Sequence, residues 1–280
     1  MEIIVGKYSG FCGGVLNSVN KAKEILNEKE KCYALGELVH NEQVIDELES
    51  LGMITIDSLD QVENGSEVII RAHGVSKDVY KEANKREITL YDLTCPKVLK
   101  IHDLARDNEN RFVIIIGKST HPEIIGTKSF CDKYEVVENN EELNKTINYI
   151  VENNIDNITV ITQTTFNEDK YMEMISIIKD ELKDKDLNIY NNICKATELR
   201  QNETKELASK VDLMIIIGGK NSSNTKKLYD ISSVITKTYL IETYKDLKDL
   251  DINYNKIGIM GGASTPKKSI DDVIRYLKNE

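Results

Sequence analysis

The chain has 280 residues, of which 40% are hydrophobic and 30% are charged, with a formal net charge of −10. This length and composition indicate a soluble, folded protein with room for several small domains. Because no basic face is evident and no apolar run is long enough to span a membrane, the sequence argues against a nucleic-acid binder and a membrane protein.

The cysteine count and the N-terminal segment favour a cytoplasmic protein. Five widely spaced cysteines do not form the pattern of a disulfide framework. The first residues, Met1–Lys7, include an acidic side chain and too short an apolar run for a signal peptide. We therefore expect reduced thiols in the cytoplasm, unless a metal binds them.

The first third of the chain alternates strand and helix patterns. Asn41 and Ser76 are predicted to cap the second and third of these helices, since side-chain oxygens of Asn and Ser accept hydrogen bonds at helix N-termini. The predicted strands are 32–35, 68–71 and 88–93, and the predicted helices are 15–28, 42–51 and 77–86.

The rest of the chain repeats this plan. Phe112–Ile116 is a continuous apolar run, as is typical of a buried parallel strand, and Pro122 suits the first position of a helix. Ile114–Ser119 resembles Ile215–Lys220, which indicates an internal repeat. The other predicted strands are 158–161, 213–217 and 257–260, and the main helices are 98–108, 168–183 and 197–210.

Strands that alternate with helices predict right-handed βαβ crossovers and parallel sheets. We therefore expect an α/β protein of three similar small units in a pseudo-threefold arrangement around a central site. The predicted units are residues 1–94, 95–192 and 193–280. We expect no further C-terminal domain, because the last helical pattern reaches the end of the chain.

Three cysteines mark the same place in each unit. Cys12, Cys95 and Cys194 each follow an apolar stretch and precede a helical pattern, and a helix N-terminus favours a thiolate. If the three converge, they form a metal or iron–sulfur site with one open position. Cys32 and Cys131 have no counterparts in the other units, so we assign them to packing.

Other cofactors fit the sequence less well. Structural zinc sites usually have four protein ligands and local C-x-x-C pairs, which are absent. Gly117–Ser119 lacks the earlier glycine of a phosphate-binding P-loop, and Gly261–Gly262 lacks the dinucleotide spacing. Three distant cysteines instead suit a four-iron cluster with one iron left without a thiolate.

Six polar loops follow the predicted strands. Ligands of parallel sheets bind beyond the carboxyl ends of strands, where helix N-termini offer N–H groups. The alternative is that these side chains only cap helices. His102, on a helix, is expected to be a surface residue or a satisfied structural one. The loops hold His40, His73, His121 with Glu123, Thr164 with Thr165, Ser222–Asn224, and Ser264 with Thr265.

These motifs together closely resemble the 4-hydroxy-3-methylbut-2-enyl diphosphate reductase family, over essentially the whole chain. Enzymes of that family complete the methylerythritol phosphate route to isoprenoid precursors. The motifs are Phe11–Val15, Thr94–Val98, Ser119–Glu123, Thr162–Thr165, Lys220–Asn224 and Gly262–Pro266.

The resemblance implies a role for each site residue. Cys12, Cys95 and Cys194 would hold a 4Fe-4S cluster whose open iron takes the allylic hydroxyl of the substrate. Thr164 would bond near that hydroxyl, and Glu123, with His121, would complete the catalytic set. Two electrons, from a ferredoxin or flavodoxin, and two protons would then give isopentenyl and dimethylallyl diphosphate. The diphosphate would be bound by His40, His73, His121, Ser222, Ser223, Asn224 and Ser264.

Two alternatives belong to other classes. One is another three-cysteine cluster enzyme of the quinolinate synthase type, which the loop motifs fit less well. The other is a non-catalytic iron–sulfur redox sensor, which would leave the polar loops unexplained.

Two opposing effects are expected on the pKa of Glu123. The N-terminus of its helix lowers the pKa, whereas burial beside an anionic diphosphate raises it, so we expect a mixed protonation state near neutral pH.

Overall fold

The structure, a computed structural model, describes residues 1–108 and 110–279. These residues form three four-stranded sheets with helices between the strands. The strands are β1 (Glu2–Val5), β2 (Cys32–Leu35), β3 (Met53–Ile56), β4 (Glu67–Ile70), β5 (Thr89–Asp92), β6 (Phe112–Ile116), β7 (Lys133–Val137), β8 (Asn157–Thr162), β9 (Asp186–Ile189), β10 (Leu213–Ile217), β11 (Lys237–Ile241) and β12 (Lys256–Gly261).

The described residues form ten α-helices, of which the first nine lie between strands and the tenth follows the last strand, and none of them is long and apolar enough to cross a membrane. The helices are α1 (Gly13–Glu28), α2 (Glu42–Ser50), α3 (Lys77–Lys85), α4 (Pro96–Asp107), α5 (Pro122–Lys128), α6 (Asn140–Glu152), α7 (Glu168–Glu181), α8 (Lys195–Ala208), α9 (Ser223–Ser233) and α10 (Lys267–Lys278).

The three sheets share one strand order. Two of them run β3-β2-β4-β5 and β7-β6-β8-β9, so that the second strand in sequence lies on one edge and the fourth on the other. The third runs β11-β10-β12-β1, and its fourth strand comes from the N-terminus of the chain. The sheets are parallel, as the sequence predicted. The α/β class and the three similar units are therefore confirmed.

The chain folds into two compact units. The first comprises Met1–Lys31, Glu37–Met53 and the chain from Lys195 onward, and it contains the sheet that ends in β1. The second comprises Cys32–Gly36 and Ile54–Cys194, and it contains the sheets built from β2–β5 and β6–β9. The three boundaries drawn from the sequence stay a prediction, although β1 pairs with β12 rather than with a strand of residues 1–94.

The sheet around β6 shows how the core holds a loop in place. All five residues of β6 are buried, and successive side chains point to opposite faces. Ile114 packs in the cluster with helices α6 and α7, whereas Ile115 packs in the cluster with α4 and α5. Each fully buried aliphatic side chain stabilises the fold by about 2 kcal/mol. The loop after β6 therefore starts from a rigid strand end.

The central strands lie where the sequence predicted them, and the helices after the three cysteines begin two residues earlier than predicted, at Gly13, Pro96 and Lys195. Strands β1, β3, β7, β9 and β11 were not predicted. All five are edge strands. Edge strands are covered on fewer sides, so they lack the continuous apolar run that marks β6 and β10.

Candidate functional site

The topology places all six polar loops after equivalent strands. In each sheet one loop follows the first strand in sequence and another follows the third, and these two strands are neighbours at the centre of the sheet. The carboxyl ends of parallel strands meet at one edge, so each pair of loops lies together. The first-strand loops follow β2, β6 and β10, and the third-strand loops follow β4, β8 and β12.

Each predicted cluster cysteine follows the fourth strand of a sheet and directly precedes a helix. All three side chains are partly exposed, and none forms a disulfide. Each cysteine N–H also donates a hydrogen bond to a carbonyl oxygen in the third-strand loop of the same sheet. These bonds join Cys12 to Ala263 (3.0 Å), Cys95 to Ala72 (3.0 Å) and Cys194 to Thr164 (2.9 Å).

This repeated bond fixes each cysteine beside a loop that carries predicted substrate-binding residues. His73 directly follows Ala72, and Ser264 directly follows Ala263. At Cys12 the thiol also caps its own helix, because its Sγ accepts from the N–H of Val15 at 3.5 Å. A cysteine binds a metal as its thiolate, and a position at a helix N-terminus suits a cysteine that serves as a cluster ligand.

Glu123 and Thr164 form the most tightly connected pair of predicted catalytic residues. Thr164 donates its backbone N–H to Oε1 of Glu123 at 2.6 Å and its hydroxyl to Oε2 at 2.7 Å. The side chain of Glu123 is 2% exposed. Burial raises the pKa of Glu123 to about 7, although both hydrogen bonds from Thr164 act to lower it. Burial thus outweighs the hydrogen bonds, and the carboxyl can both hold and release a proton near neutral pH.

His121 is oriented by the helix that it precedes. Its Nδ1 accepts the backbone N–H of Glu123 at 3.2 Å, so the ring caps α5. In the neutral form of the ring, this geometry places the proton on Nε2. The ring of His73 lies edge-on to that of His121, with 5.5 Å between the centroids. The two predicted histidines of this unit are therefore adjacent.

His40 is held by groups of the first unit. Its Nδ1 lies 3.2 Å from Oε2 of Glu37, and its carbonyl oxygen accepts from the hydroxyl of Ser264 at 3.0 Å. Gly219 packs against the same carbonyl so closely that a Cβ at this position would lie 2.5 Å from the oxygen. The loops after β2, β10 and β12 therefore meet at His40.

The N-terminus of α9 carries the remaining predicted residues. Ser222 caps the helix, because its Oγ accepts from the N–H of Thr225 at 3.3 Å. Asn224 is 3% exposed, and its amide oxygen and nitrogen have no hydrogen-bond partner among the described residues. Buried amides without a partner cost free energy unless a ligand or water satisfies them. A buried amide at a helix N-terminus fits a phosphate-binding site. Ser223, between Ser222 and Asn224, is the first residue of the helix.

His102 contradicts its expected role as a surface or satisfied residue. The residue is 2% exposed, and its ring stacks on that of Phe130, with 4.7 Å between the ring centroids. Its Nε2 has no hydrogen-bond partner among the described residues. Burial lowers its pKa to about 4. A Cβ at Gly74 would lie 2.7 Å from the ring, and one at Gly126 would lie 3.2 Å from it. No signal in one sequence links a helix residue to two distant glycines.

The predicted site residues divide between the two compact units, and a single site shared by both sets stays a prediction. The first unit contains Cys12, His40, Ser222, Ser223, Asn224 and Ser264, and the second contains His73, Cys95, His121, Glu123, Thr164 and Cys194.

Residues 3–278 match the family model described as LytB protein. The chain is 38% identical to 4-hydroxy-3-methylbut-2-enyl diphosphate reductase of Clostridioides difficile (strain 630) and 39% identical to that of Alkaliphilus oremlandii (strain OhILAs). Each alignment covers 100% of both chains.

Among solved structures, the chain matches the E-1-hydroxy-2-methyl-but-2-enyl-4-diphosphate reductase of Plasmodium falciparum, with a TM-score of 0.90 and 30% identity. That match covers 98% of this chain and 87% of the other. A structure of (E)-4-hydroxy-3-methyl-but-2-enyl diphosphate reductase, described as the terminal enzyme of the non-mevalonate pathway, matches with a TM-score of 0.71 and 36% identity. It covers 100% of both chains.

Proposed function

Because the chain belongs to the LytB protein family, we propose that it catalyses the reaction after which its relatives are named, the reduction of 4-hydroxy-3-methylbut-2-enyl diphosphate. The chain is an oxidoreductase of isoprenoid biosynthesis. Two electrons and two protons replace the allylic hydroxyl by hydrogen and release it as water, which gives isopentenyl and dimethylallyl diphosphate. The observation that carries this proposal is the bonding of Thr164 to both Glu123 and Cys194.

The cofactor of this reaction is a 4Fe-4S cluster, which Cys12, Cys95 and Cys194 would hold. Three partly exposed thiols at three equivalent helix N-termini fit such a cluster, and the other two cysteines, Cys32 and Cys131, are buried. When bound, the cluster supplies the electrons and a Lewis-acidic iron for the substrate hydroxyl. The electron donor is a ferredoxin or flavodoxin. Convergence of the three thiols requires the pseudo-threefold arrangement of units 1–94, 95–192 and 193–280.

Glu123 is the proton source. A pKa of about 7 keeps a large share of the carboxyl protonated at neutral pH, and Oε2 of Glu123 lies 2.7 Å from the Thr164 hydroxyl oxygen. When Glu123 is protonated, this bond can reverse, so that the carboxyl donates to Thr164 and the threonine hydroxyl donates to the leaving oxygen. A poor leaving group such as hydroxide needs this protonation, which contributes about 100-fold or more to such reactions.

The diphosphate is anchored away from the reacting carbon by two sets of donors. His40, Ser222, Ser223, Asn224 and Ser264 of the first unit bind it through hydroxyl, amide and imidazole groups. His73 and His121 of the second unit add ring N–H donors. Charge-assisted hydrogen bonds to a diphosphate are roughly twice as strong as neutral ones. This anchoring positions the allylic hydroxyl for the reaction.

The alternatives from the sequence are less well supported. The curated relatives that match the full chain have the name of the reductase, which favours an enzyme over a redox sensor and over a quinolinate synthase. Anaerobically purified protein should convert 4-hydroxy-3-methylbut-2-enyl diphosphate to the two products when reduced methyl viologen supplies electrons. A protein that binds iron and sulfide but gives no product under these conditions would contradict the proposal.

A further inference from the structure

Helix α8 buries a charged side chain that the proposed reaction does not use. The helix begins directly after Cys194, and its buried face includes Arg200, which is 3% exposed. A buried guanidinium destabilises a fold unless hydrogen bonds replace its hydration. The partners of Arg200 therefore decide why the residue is there.

Two of these partners lie in the loop that leads to Cys12. Arg200 donates its Nε–H to the carbonyl oxygen of Tyr8 and an Nη2–H to that of Gly10, both at 2.9 Å. Its Nη1 donates to Ala196 of its own helix at 3.2 Å. The planar guanidinium thus holds two carbonyl groups of one loop and ties them to α8.

Glu203, one helical turn later, accepts hydrogen bonds from two backbone N–H groups of the same loop. Its Oε1 accepts the backbone N–H of Lys7 at 2.6 Å, and its Oε2 accepts that of Tyr8 at 2.8 Å. The guanidinium of Arg200 therefore donates to carbonyl groups of the loop, and the carboxylate of Glu203 accepts from its N–H groups. Hydrogen bonds with one charged partner are shorter and stronger than neutral ones.

The opposite side of the loop bonds to β12 and the loop after it. Gly6 and Gly10 donate their N–H groups to Ile259 and Gly261 at 2.9 and 3.2 Å, and Cys12 donates to Ala263. The segment Lys7–Gly10 is thus held between β12 and α8. Gly10 has a φ of +92°, a conformation that other residues rarely adopt.

We propose that Arg200 and Glu203 are positioning residues that fix the segment Lys7–Gly10 and thereby hold the Cys12 thiol in its cluster-binding position. The two side chains bind backbone N–H and carbonyl groups of the segment that no strand among the described residues binds. They thereby restrict the movement of the segment and of Cys12, which follows it. The effect on the cluster rests on the proposed function, whereas the effect on the loop does not.

The test compares the full-length variants R200M, R200K and E203Q with R111M. Arg111 is a matched control, because it is a largely buried arginine that donates to Thr159, to the carbonyl oxygen of Ile158 and to Asp186 near β8 and β9. Its loss should destabilise the protein without changing the segment Lys7–Gly10.

In protein freed of metal, R200M and E203Q should speed hydrogen exchange at the Lys7 and Tyr8 amides by about tenfold or more, since local opening controls that rate. Alkylation of Cys12 should also become faster, because a loosened loop exposes its partly exposed thiol further. Cys95 should be alkylated at the wild-type rate. In reconstituted protein, both variants should lose iron to a chelator faster and show an altered reduction potential. R200K, which keeps the charge and some donors, should lie between R200M and the wild type.

Equal changes in R111M and R200M at equal thermal stability would overturn the proposal, as would wild-type exchange and alkylation in E203Q. If R200M fails to fold, R200K and E203Q decide the question. A wild-type protein that takes up no cluster would contradict the proposed function, but alkylation and exchange would still test whether the two side chains hold the loop.

Discussion

The backbone N–H of Cys194 donates a 2.9 Å hydrogen bond to the carbonyl oxygen of Thr164. The side chain of the same threonine donates to Glu123 at 2.7 Å. In the other two sheets, alanine occupies the position of Thr164, and its carbonyl oxygen accepts from Cys12 or Cys95. One position of a threefold pattern therefore carries a hydroxyl, and that hydroxyl contacts the buried acid.

Replacing Glu123 by glutamine should lower turnover by at least about 100-fold, because the variant loses the general acid. The amide has the shape of the carboxyl, so the fold, the iron content and substrate binding should persist. Steady-state assays and substrate titration measure these effects. E141Q is the matched control, since Glu141 is a first-turn acid of α6 whose side chain is exposed and pairs with the exposed Lys145. A near wild-type rate in E123Q would assign the proton to another donor.

Glu123 should also make stability depend on pH. Its pKa rises from 4.5 to about 7 on folding. Below pH 4.5 the carboxyl is protonated in the folded and unfolded chains alike. As pH rises from 4.5 to 7, the unfolded chain ionises first, so folding loses free energy, about 3 kcal/mol in total above pH 7. The difference in unfolding free energy between E123Q and wild type should grow from pH 4.5 to pH 8. A constant difference would contradict the raised pKa.

The cysteines should separate into two classes. C12S, C95S and C194S should each abolish activity and impair cluster binding, because each removes a thiolate ligand. C32S and C131S should keep the iron content of the wild type. Both side chains are buried, and burial raises the pKa of the Cys131 thiol to about 12, so Cys131 supplies no thiolate. Iron and sulfide analysis after anaerobic reconstitution gives the result, and full iron with normal turnover in C95S would contradict the assignment.

The buried amide of Asn224 should trade stability for binding. With no partner among the described residues, its polar atoms destabilise the protein by about 1–3 kcal/mol. N224L, which is similar in volume and apolar, should therefore melt at a higher temperature than the wild type, while KM for the substrate rises about tenfold or more. Thermal melting and substrate titration measure the two effects. A lower melting temperature with unchanged KM would exclude a role in binding the diphosphate.

Gly74 should be intolerant of a side chain because of His102. G74A places a Cβ 2.7 Å from the ring of His102 at a backbone φ of +75°. Gly65 is the matched control: its φ is +79°, but a Cβ there would meet no atom within 4 Å. Both variants incur about 1 kcal/mol of backbone strain, and G74A should lose about 1–3 kcal/mol more through overpacking. Equal losses in chemical unfolding would contradict the contact.

The sequence predicted the parts of this structure that leave a local signal. Phe112–Ile116 is apolar throughout because helices cover both faces of its sheet. Asn41 caps α2 as expected, because its side-chain oxygen accepts the backbone N–H of Val44 in the first turn of the helix. Ser76 occupies the predicted cap position but makes no side-chain cap bond. Five of the six edge strands were missed, all but β5, because half-exposed edges have no long continuous apolar run.

The contacts between distant residues could not be predicted. The pKa of Glu123 depends on how far burial outweighs two hydrogen bonds, which only coordinates reveal. Arg200 reads as an ordinary charged helix residue, and nothing in its neighbours along the chain indicates bonds to Tyr8 and Gly10. Three similar units with parallel sheets were predicted, but no sequence signal indicated that β1, near one end of the chain, pairs with β12, near the other.

That closure sets an order of assembly during synthesis on the ribosome. Strands β2–β9 and their helices can form two complete sheets as soon as residue 189 is available. Strand β1 must wait unpaired, because β12 ends at residue 261. The loop that carries Cys12 lacks its bond to Ala263 for the same period. Cys12 is therefore the last of the three cysteines to gain its surroundings, although it is the first to be synthesised.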